Sequence, residues 1–277
     1  MFNLTIKNIL SSKSSLEKEL ILAHAIKRDR VFVITRPDFL LTPLQYLHFK
    51  YYNYLLHRGY SVAAITKHKE FFGLDFFVNK NVLIPRPETE LLVAEAIQEI
   101  STSQNNTLLI DVGTGSGCIP IAIVKNISPK TKAIAIDISS LALRVAKKNI
   151  KKHQVNIELI KSNLLNSISH RNFNNFNNII ITANLPYLTD KQVKNESSIR
   201  KEPKLALIAE ENGLDLYRKL LTQTANIFHH KPTTLFFEID PDQKISIKNL
   251  IKEYFPSANI EIKKDLAGQD RLVKIST

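Results

Sequence analysis

Downstream of Leu108, short uninterrupted apolar runs alternate with longer stretches in which apolar residues recur every three or four positions. The runs at residues 108–112, 133–137, 155–160, 178–183 and 233–239 predict strands, and two more strands are expected near 258–263 and 272–275. Runs that are apolar on both sides suit a parallel sheet covered by helices on both faces. The intervening periodicity predicts helices over 117–125, 141–152 (capped by Ser139 or Ser140) and 214–228. Residues 171–178, rich in Asn, read as a surface loop.

Upstream the pattern is different. Residues 1–69 carry only helical periodicity. Ser14 and Glu17 have the spacing of a capping box ahead of Leu16, Leu20 and Ile21. Thr42-Pro43 marks a second helix start, and Gly59 suits its left-handed stop. Between them Leu44, Leu47, Tyr51, Tyr54 and Leu55 recur at helical spacing and are expected to pack on another helix. Residues 70–90 form a β-hairpin connector in which Gly73 and Asn79-Lys80-Asn81 are turn punctuation. Pro87, followed by Glu88 and Glu90, opens the next helix. The expected organisation is a small helical domain at 1–69, the connector at 70–90, and an α/β domain at 91–277.

Composition narrows the chemistry. With 277 residues, 44% hydrophobic and 23% charged, the chain can bury a substantial core. Its one cysteine, Cys118, excludes a disulfide framework and a cysteine-built metal site, and no metal is expected. There is no leader-like pattern and no apolar run of membrane length, so a cytoplasmic location and no membrane contact are expected. The net charge of +12 raises the question of nucleic acid. Apart from Lys147, Lys148, Lys151 and Lys152, however, the basic residues are scattered, which favours a generally basic surface over a dedicated RNA-binding face.

The run ending at Val112 leads straight into Gly113-Thr114-Gly115-Ser116-Gly117. The glycines let the backbone turn tightly against a ligand at the following helix N-terminus. The next strand ends on Asp137, at the distance expected of an acid that binds ribose hydroxyls. The spacing is GxGxG rather than the dinucleotide GxGxxG, and no Lys follows to grip phosphate. Such a loop, leading from an acidic strand end, resembles the S-adenosylmethionine site of Rossmann-like methyltransferases. In that class the residue after the third strand borders the adenine; here it is Asn163, whose amide oxygen can accept a hydrogen bond.

The fourth strand ends on Asn184-Leu185-Pro186-Tyr187, at the crevice where the strands' carboxyl ends meet a ligand. An amide or aromatic NH2 is a poor nucleophile because its lone pair is delocalised. Two acceptors, the Asn184 side-chain oxygen and the Leu185 carbonyl, can take its two hydrogens and aim the lone pair at an activated methyl. Pro186 stiffens the turn, and Tyr187 offers a flat face to a planar group.

Residues 82–90, Val-Leu-Ile-Pro-Arg-Pro-Glu-Thr-Glu, together with DVGTGSGC, 202–218, 238–243 and 265–273, resemble the PrmC/HemK family of release-factor glutamine methyltransferases. The resemblance runs from about Ser14 to Ile275. It implies a Rossmann-like S-adenosylmethionine-dependent methyltransferase sheet behind a small N-terminal helical domain. It also implies methylation of the glutamine N5 in the GGQ loop of class-1 peptide chain release factors, by a monomer that does not require nucleic acid. Carried over to this chain, Gly113, Thr114, Gly115, Ser116 and Gly117 line the methionine part of the cofactor, Asp137 takes the ribose, and Asn163 with Leu164 borders the adenine. Asn184, Leu185, Pro186 and Tyr187 clasp the glutamine. Residues 85–90 are expected in support.

The match has departures. The family's Asn-Pro-Pro-Tyr has Leu185 at its second position, Asn163 replaces an acid, and residues 238–240 read Glu-Ile-Asp rather than Glu-x-Gly. Asn-Leu-Pro-Tyr also occurs in adenine-N6 methyltransferases acting on RNA. That activity, or an inactive cofactor-binding module, therefore stands as an alternative.

Overall fold

The computed structural model describes residues 4–10, 14–103, 106–127, 131–195, 199, 201–209 and 213–277. The chain divides into two compact units, Met1–His68 with Ser197–Lys201, and Lys69–Glu196 with Glu202–Thr277.

Among its described residues the first unit contains five helices, α1 (Ile6–Ile9), α2 (Leu16–Ile26), α3 (Arg30–Thr35), α4 (Pro43–His57) and α5 (Val62–Thr66). The cap of α2 is Ser15, whose hydroxyl accepts from the Lys18 amide, one residue beyond the Ser14 expected from spacing. Ser14 instead donates to the Ser15 carbonyl. In α4, Thr42 and Gln45 satisfy each other's backbone amides, and the helix closes with Tyr60 N–H on the Leu55 carbonyl across a left-handed Gly59. The core of the unit is formed by Ile21, Leu22, Ile26, Val33, Leu41 and Phe49. Leu44 and Leu47, each 62% exposed, and Tyr51 and Tyr54 face outward rather than into that core. Helical periodicity marks a face without saying what covers it, and on α4 it is Phe49 that is buried.

The second unit begins with a hairpin of β1 (His68–Phe71) and β2 (Leu74–Phe77). Phe72 and Gly73 both have positive φ, as a two-residue turn with hairpin-compatible twist needs. The Phe72 N–H is held by Glu90 Oε1 at 2.8 Å. A 3-10 turn, Pro87–Thr89, then runs into α6 (Glu90–Thr102). The main sheet contains β3 (Thr107–Val112), β4 (Lys132–Asp137), β5 (Glu158–Lys161), β6 (Asn178–Ala183), β7 (Thr233–Glu238), β8 (Asn259–Lys264) and β9 (Asp270–Ser276), in the order 5-4-3-6-7-9-8. Helices α7 (Cys118–Lys125), α8 (Ser140–His153), α9 (Asp190–Asn195), α10 (Asp215–Phe228) and α11 (Lys244–Tyr254) complete the unit.

Alternate strand residues feed two hydrophobic layers. Leu108, Ile110, Ile179, Ile181, Leu235 and Phe237 pack with Tyr217 and Leu221 of α10 and Ile247 and Ile251 of α11. Leu109, Ile180 and Phe236 pack with Leu92 and Ala96 of α6 and Ile121 of α7.

Two expectations are corrected. The sheet is mixed, because β9 runs antiparallel to both β7 and β8. Only Asp265–Gln269 joins β8 to β9, with Asp265 accepting from the Ala267 and Gln269 amides, and a connection so short cannot return a strand in parallel. Strand β5 starts at Glu158 rather than residue 155, because Gln154 is left-handed and the Val155 N–H closes α8 on the Ile150 carbonyl. The Asn-rich stretch 171–178 runs into β6 at Asn178, and Phe173 within it is buried against Phe228. Among the described residues no helix is long and apolar enough to cross a membrane.

Candidate active site

Strand register assembles the site. Val112 pairs with Ile136 on one side and with Ala183 on the other, and Ala183 pairs with Phe237. The next residue on each strand is therefore Gly113, Asp137, Asn184 and Glu238, four side-by-side positions at the carboxyl edge. The sheet order reverses between β3 and β6, the place where open α/β sheets bind ligands. A cavity of about 280 Å3 opens there, lined by Gly113 to Ser116, Asp137, Ser162 to Leu164, Asn184 to Pro186, and parts of the connector and of residues 203–206.

On the β3–β4 side, the Gly113 and Thr114 amides donate to the Ile136 carbonyl, each at 2.9 Å. Asp137 Oδ2 accepts from the Gly115 N–H and Oδ1 from the Ser139 N–H, both at 2.8 Å. Burial raises the Asp137 pKa, and these two amides oppose the rise. Its carboxylate thus ties the glycine loop to the start of α8 while keeping lone pairs for a ligand. Asp111, fully buried on β3 two residues before Gly113, accepts from Thr182 Oγ1 at 2.7 Å, and burial pushes it up to about 6. The Thr114 and Ser116 hydroxyls are buried; Thr114 stabilises the Asp111 carboxylate, and Ser116 faces the Cys118 thiol. S-adenosylmethionine, with an ammonium and a carboxylate at its amino-acid end and a diol on its ribose, fits this set of donors and acceptors. Gly117 does not line the cavity. It sits at the N-terminus of α7, where a β-carbon would meet Ile121 and Ala146 at 3.2–3.3 Å, so its role is packing. Asn163 and Leu164 do line it, with Leu164 in the left-handed region.

On the β6–β7 side, Asn184 Nδ2 donates to Thr89 Oγ1 at 3.2 Å, and that hydroxyl donates to Glu238 Oε2 at 2.6 Å. Because the one Thr89 proton goes to Glu238, Thr89 can only accept from Asn184. One N–H of the Asn184 amide is therefore given to Thr89, which places the nitrogen on that side and the oxygen on the other. The Leu185 N–H donates to the Tyr217 hydroxyl at 3.3 Å, and that hydroxyl donates to the Glu238 main-chain carbonyl. Tyr187 donates to Glu238 Oε1 at 3.3 Å; its ring is not among the cavity's lining, so it buttresses the turn from behind rather than presenting a face to a ligand. Burial pushes Glu238 up to about 6, against the lowering effect of Thr89 and Arg271. The connector is fastened by Glu202, which accepts from Arg86 Nη2 at 2.5 Å and from the Ile84 amide at 3.0 Å. Residues 210–212 of the quoted stretch 202–218 lie outside the described residues.

Thr89 was expected in support, but Glu238 and Tyr217 were missed as site residues. The sequence signal that could have found them is that Tyr217 and Glu238 both fall in stretches, 202–218 and 238–243, that resemble the family.

Residues 88–200 match the family "Methyltransferase small domain". The human methyltransferase 10 domain containing protein superposes with a TM-score of 0.52 at 13% identity, over 74% of this chain and 88% of that one, a likeness of fold. Fold and site together define a Rossmann-like, S-adenosylmethionine-dependent methyltransferase. A release factor glutamine methyltransferase of Flavobacterium psychrophilum is 35% identical over 91% of this chain and 87% of its own length. That of Dictyoglomus turgidum is 34% identical over 99% of this chain and 95% of its own length. The chain belongs to the release factor glutamine methyltransferase family.

Proposed function

We propose that this protein methylates the side-chain nitrogen, N5, of the glutamine in the Gly-Gly-Gln loop of class-1 peptide chain release factors. The observation that carries the reading is the direction of the Asn184 carboxamide. One of its two N–H bonds goes to Thr89 and turns the nitrogen to that side, so its oxygen is the acceptor offered to the cavity. A substrate NH2 placed there gives one hydrogen to Asn184 Oδ1 and the other to the Leu185 carbonyl, which leaves the nitrogen lone pair pointing along the cavity.

S-adenosylmethionine, when bound, supplies an electrophilic methyl group on its sulfonium. Gly113 and Gly115 would let the main chain come close to it, with Thr114 and Ser116 beside them in the wall of the cavity. Asp137 accepts from the ribose, and Asn163 with Leu164 borders the adenine. Pro186 and the buttress of Tyr187 keep the turn from relaxing. No strong base is required of the protein, because the substrate nitrogen sheds its proton after it has gained the methyl.

In this reading the helical unit recognises the release factor, and the exposed Leu44, Leu47, Tyr51 and Tyr54 of α4 are the surface available for it. The protein acts as a cytoplasmic monomer and needs no nucleic-acid contact. The second reading, adenine-N6 methylation of RNA, is favoured by Asn-Leu-Pro-Tyr and the net charge of +12, but family membership weighs against it. Tritiated S-adenosylmethionine offered separately to purified release factor and to ribosomal RNA decides between them. Label in the release factor is expected; label in the RNA alone would overturn the proposal.

A further inference from the structure

Both acceptors that would hold the substrate NH2 trace back to a single residue. The Glu238 side chain reaches Asn184 through Thr89, and its main-chain carbonyl reaches Leu185 through Tyr217. Glu238 is buried and does not line the cavity, so it touches no substrate. We infer that Glu238 is a positioning residue whose ionised carboxylate sets the direction of the Asn184 carboxamide through the Thr89 hydroxyl. The inference rests on the functional reading above and extends it to a residue outside the substrate's reach.

Proton direction along this chain sets which way the carboxamide faces. An ionised carboxylate can only accept, so the Thr89 proton must point to it, and Thr89 must then accept from Asn184 Nδ2. A protonated Glu238 can donate to Thr89 Oγ1. The Thr89 proton then turns to Asn184 and selects its oxygen, which swings the NH2 toward the cavity. Two NH2 groups facing each other cannot bond, and the substrate lone pair loses its aim.

Burial pushes Glu238 up to about 6, which brings this reversal close to neutral pH. The groups facing it are Glu88 before α6, Tyr187 after β6, Tyr217 of α10 and Arg271 of β9, while Asp240 after β7 acts on Tyr187. Arg271 favours the charged form, and Glu88 disfavours it. Asp111, also near 6, lies on the other side of β6 and touches neither Thr89 nor Asn184, so a variant is needed to assign any acid limb.

The test measures kcat, KM for release factor and the dissociation constant of S-adenosylmethionine from pH 5 to 8. The proteins are the wild type, Glu238→Gln, Thr89→Val and Thr89→Ser. A neutral Gln offers Thr89 either an oxygen or an NH2, and Val breaks the chain of bonds without changing the shape. For Glu238→Gln and Thr89→Val a fall in kcat on the order of 10–100-fold is expected, with cofactor affinity within about twofold of wild type. The wild-type acid limb near pH 6 should be absent from Glu238→Gln, and Thr89→Ser should keep most of the wild-type kcat. Wild-type kcat in Glu238→Gln with the acid limb intact overturns the inference. Should Glu238→Gln not fold, equal kcat in Thr89→Val and Thr89→Ser overturns it equally. A wild type that transfers nothing to release factor overturns the functional reading itself, and the inference with it.

Discussion

A β-carbon placed on Gly113 would stand 2.9 Å from Leu185 Cδ2. The glycine loop and the Asn184–Tyr187 turn are therefore in contact, and a side chain at Gly113 would require the end of Leu185 to shift. Gly113 also has φ +75°, a conformation that costs an L-residue roughly 1–2 kcal/mol. Gly113→Ala should lower Tm and weaken S-adenosylmethionine binding at least tenfold, as read by thermal denaturation and calorimetry. Wild-type affinity in this variant would show that the loop relaxes freely and that the contact has no consequence.

Asp137 ties Gly115 to Ser139 and keeps lone pairs, which in the proposed function accept from the ribose. Asp137→Ala removes both functions, and a loss of about 1.5–3 kcal/mol, roughly 10–200-fold in cofactor affinity, is expected for a charge-assisted hydrogen bond. Equilibrium binding of S-adenosylmethionine checks this.

Leu185 stands where the family pattern has proline, and proline has no N–H. Here that N–H is buried and spent on Tyr217. Tyr217→Phe leaves it without a partner, at a cost of roughly 1–3 kcal/mol in stability and with a lower kcat. In a Leu185→Pro background the same Tyr217→Phe should cost much less, because there is no longer an N–H to satisfy. A double-mutant cycle by denaturant unfolding measures the coupling, and additive effects would contradict the account.

The two buried carboxyls also link stability to pH. Asp111 and Glu238 have folded-state pKa values raised to about 6, above their ordinary 3.8 and 4.5. The folded protein thus binds these protons more readily than the unfolded chain. Ionisation above about pH 6 penalises the fold, and the penalty is relieved as pH falls through 6 toward the unfolded values. For Glu238 it amounts to about 2 kcal/mol at pH 8. Glu238→Gln, which never ionises, should therefore be more stable relative to wild type at pH 8 than at pH 5. Guanidinium unfolding at both pH values checks the sign.

Much of this was legible in the sequence. Residues 178–183 read correctly as the strand ending at Asn184, because a β-branched run closed by Asn and Pro has few other conformations available. The glycine loop and Asp137 were equally plain, since their spacing reflects a local strand–loop–helix–strand unit. The hidden features depend on distant segments. The direction of β9 follows from a short loop whose meaning becomes clear only once β8 is known to pair with it. The outward face of α4 has the same periodicity as a buried one. Glu238 looked like a strand end in a family stretch; its importance comes from pairing between β6 and β7 and from Thr89, 149 residues away in the chain.

The central claim is that Asn184 holds a glutamine NH2 for methylation. It is tested most directly by tandem mass spectrometry of a class-1 release factor after incubation with S-adenosylmethionine and either wild-type protein or Asn184→Ala. With wild type, the peptide bearing the Gly-Gly-Gln loop should gain the mass of one methylene group, localised to the glutamine side chain. With Asn184→Ala, which should still bind the cofactor, the gain should fall about 100-fold or more. A methylated residue other than that glutamine, or equal methylation by the variant, would contradict the account.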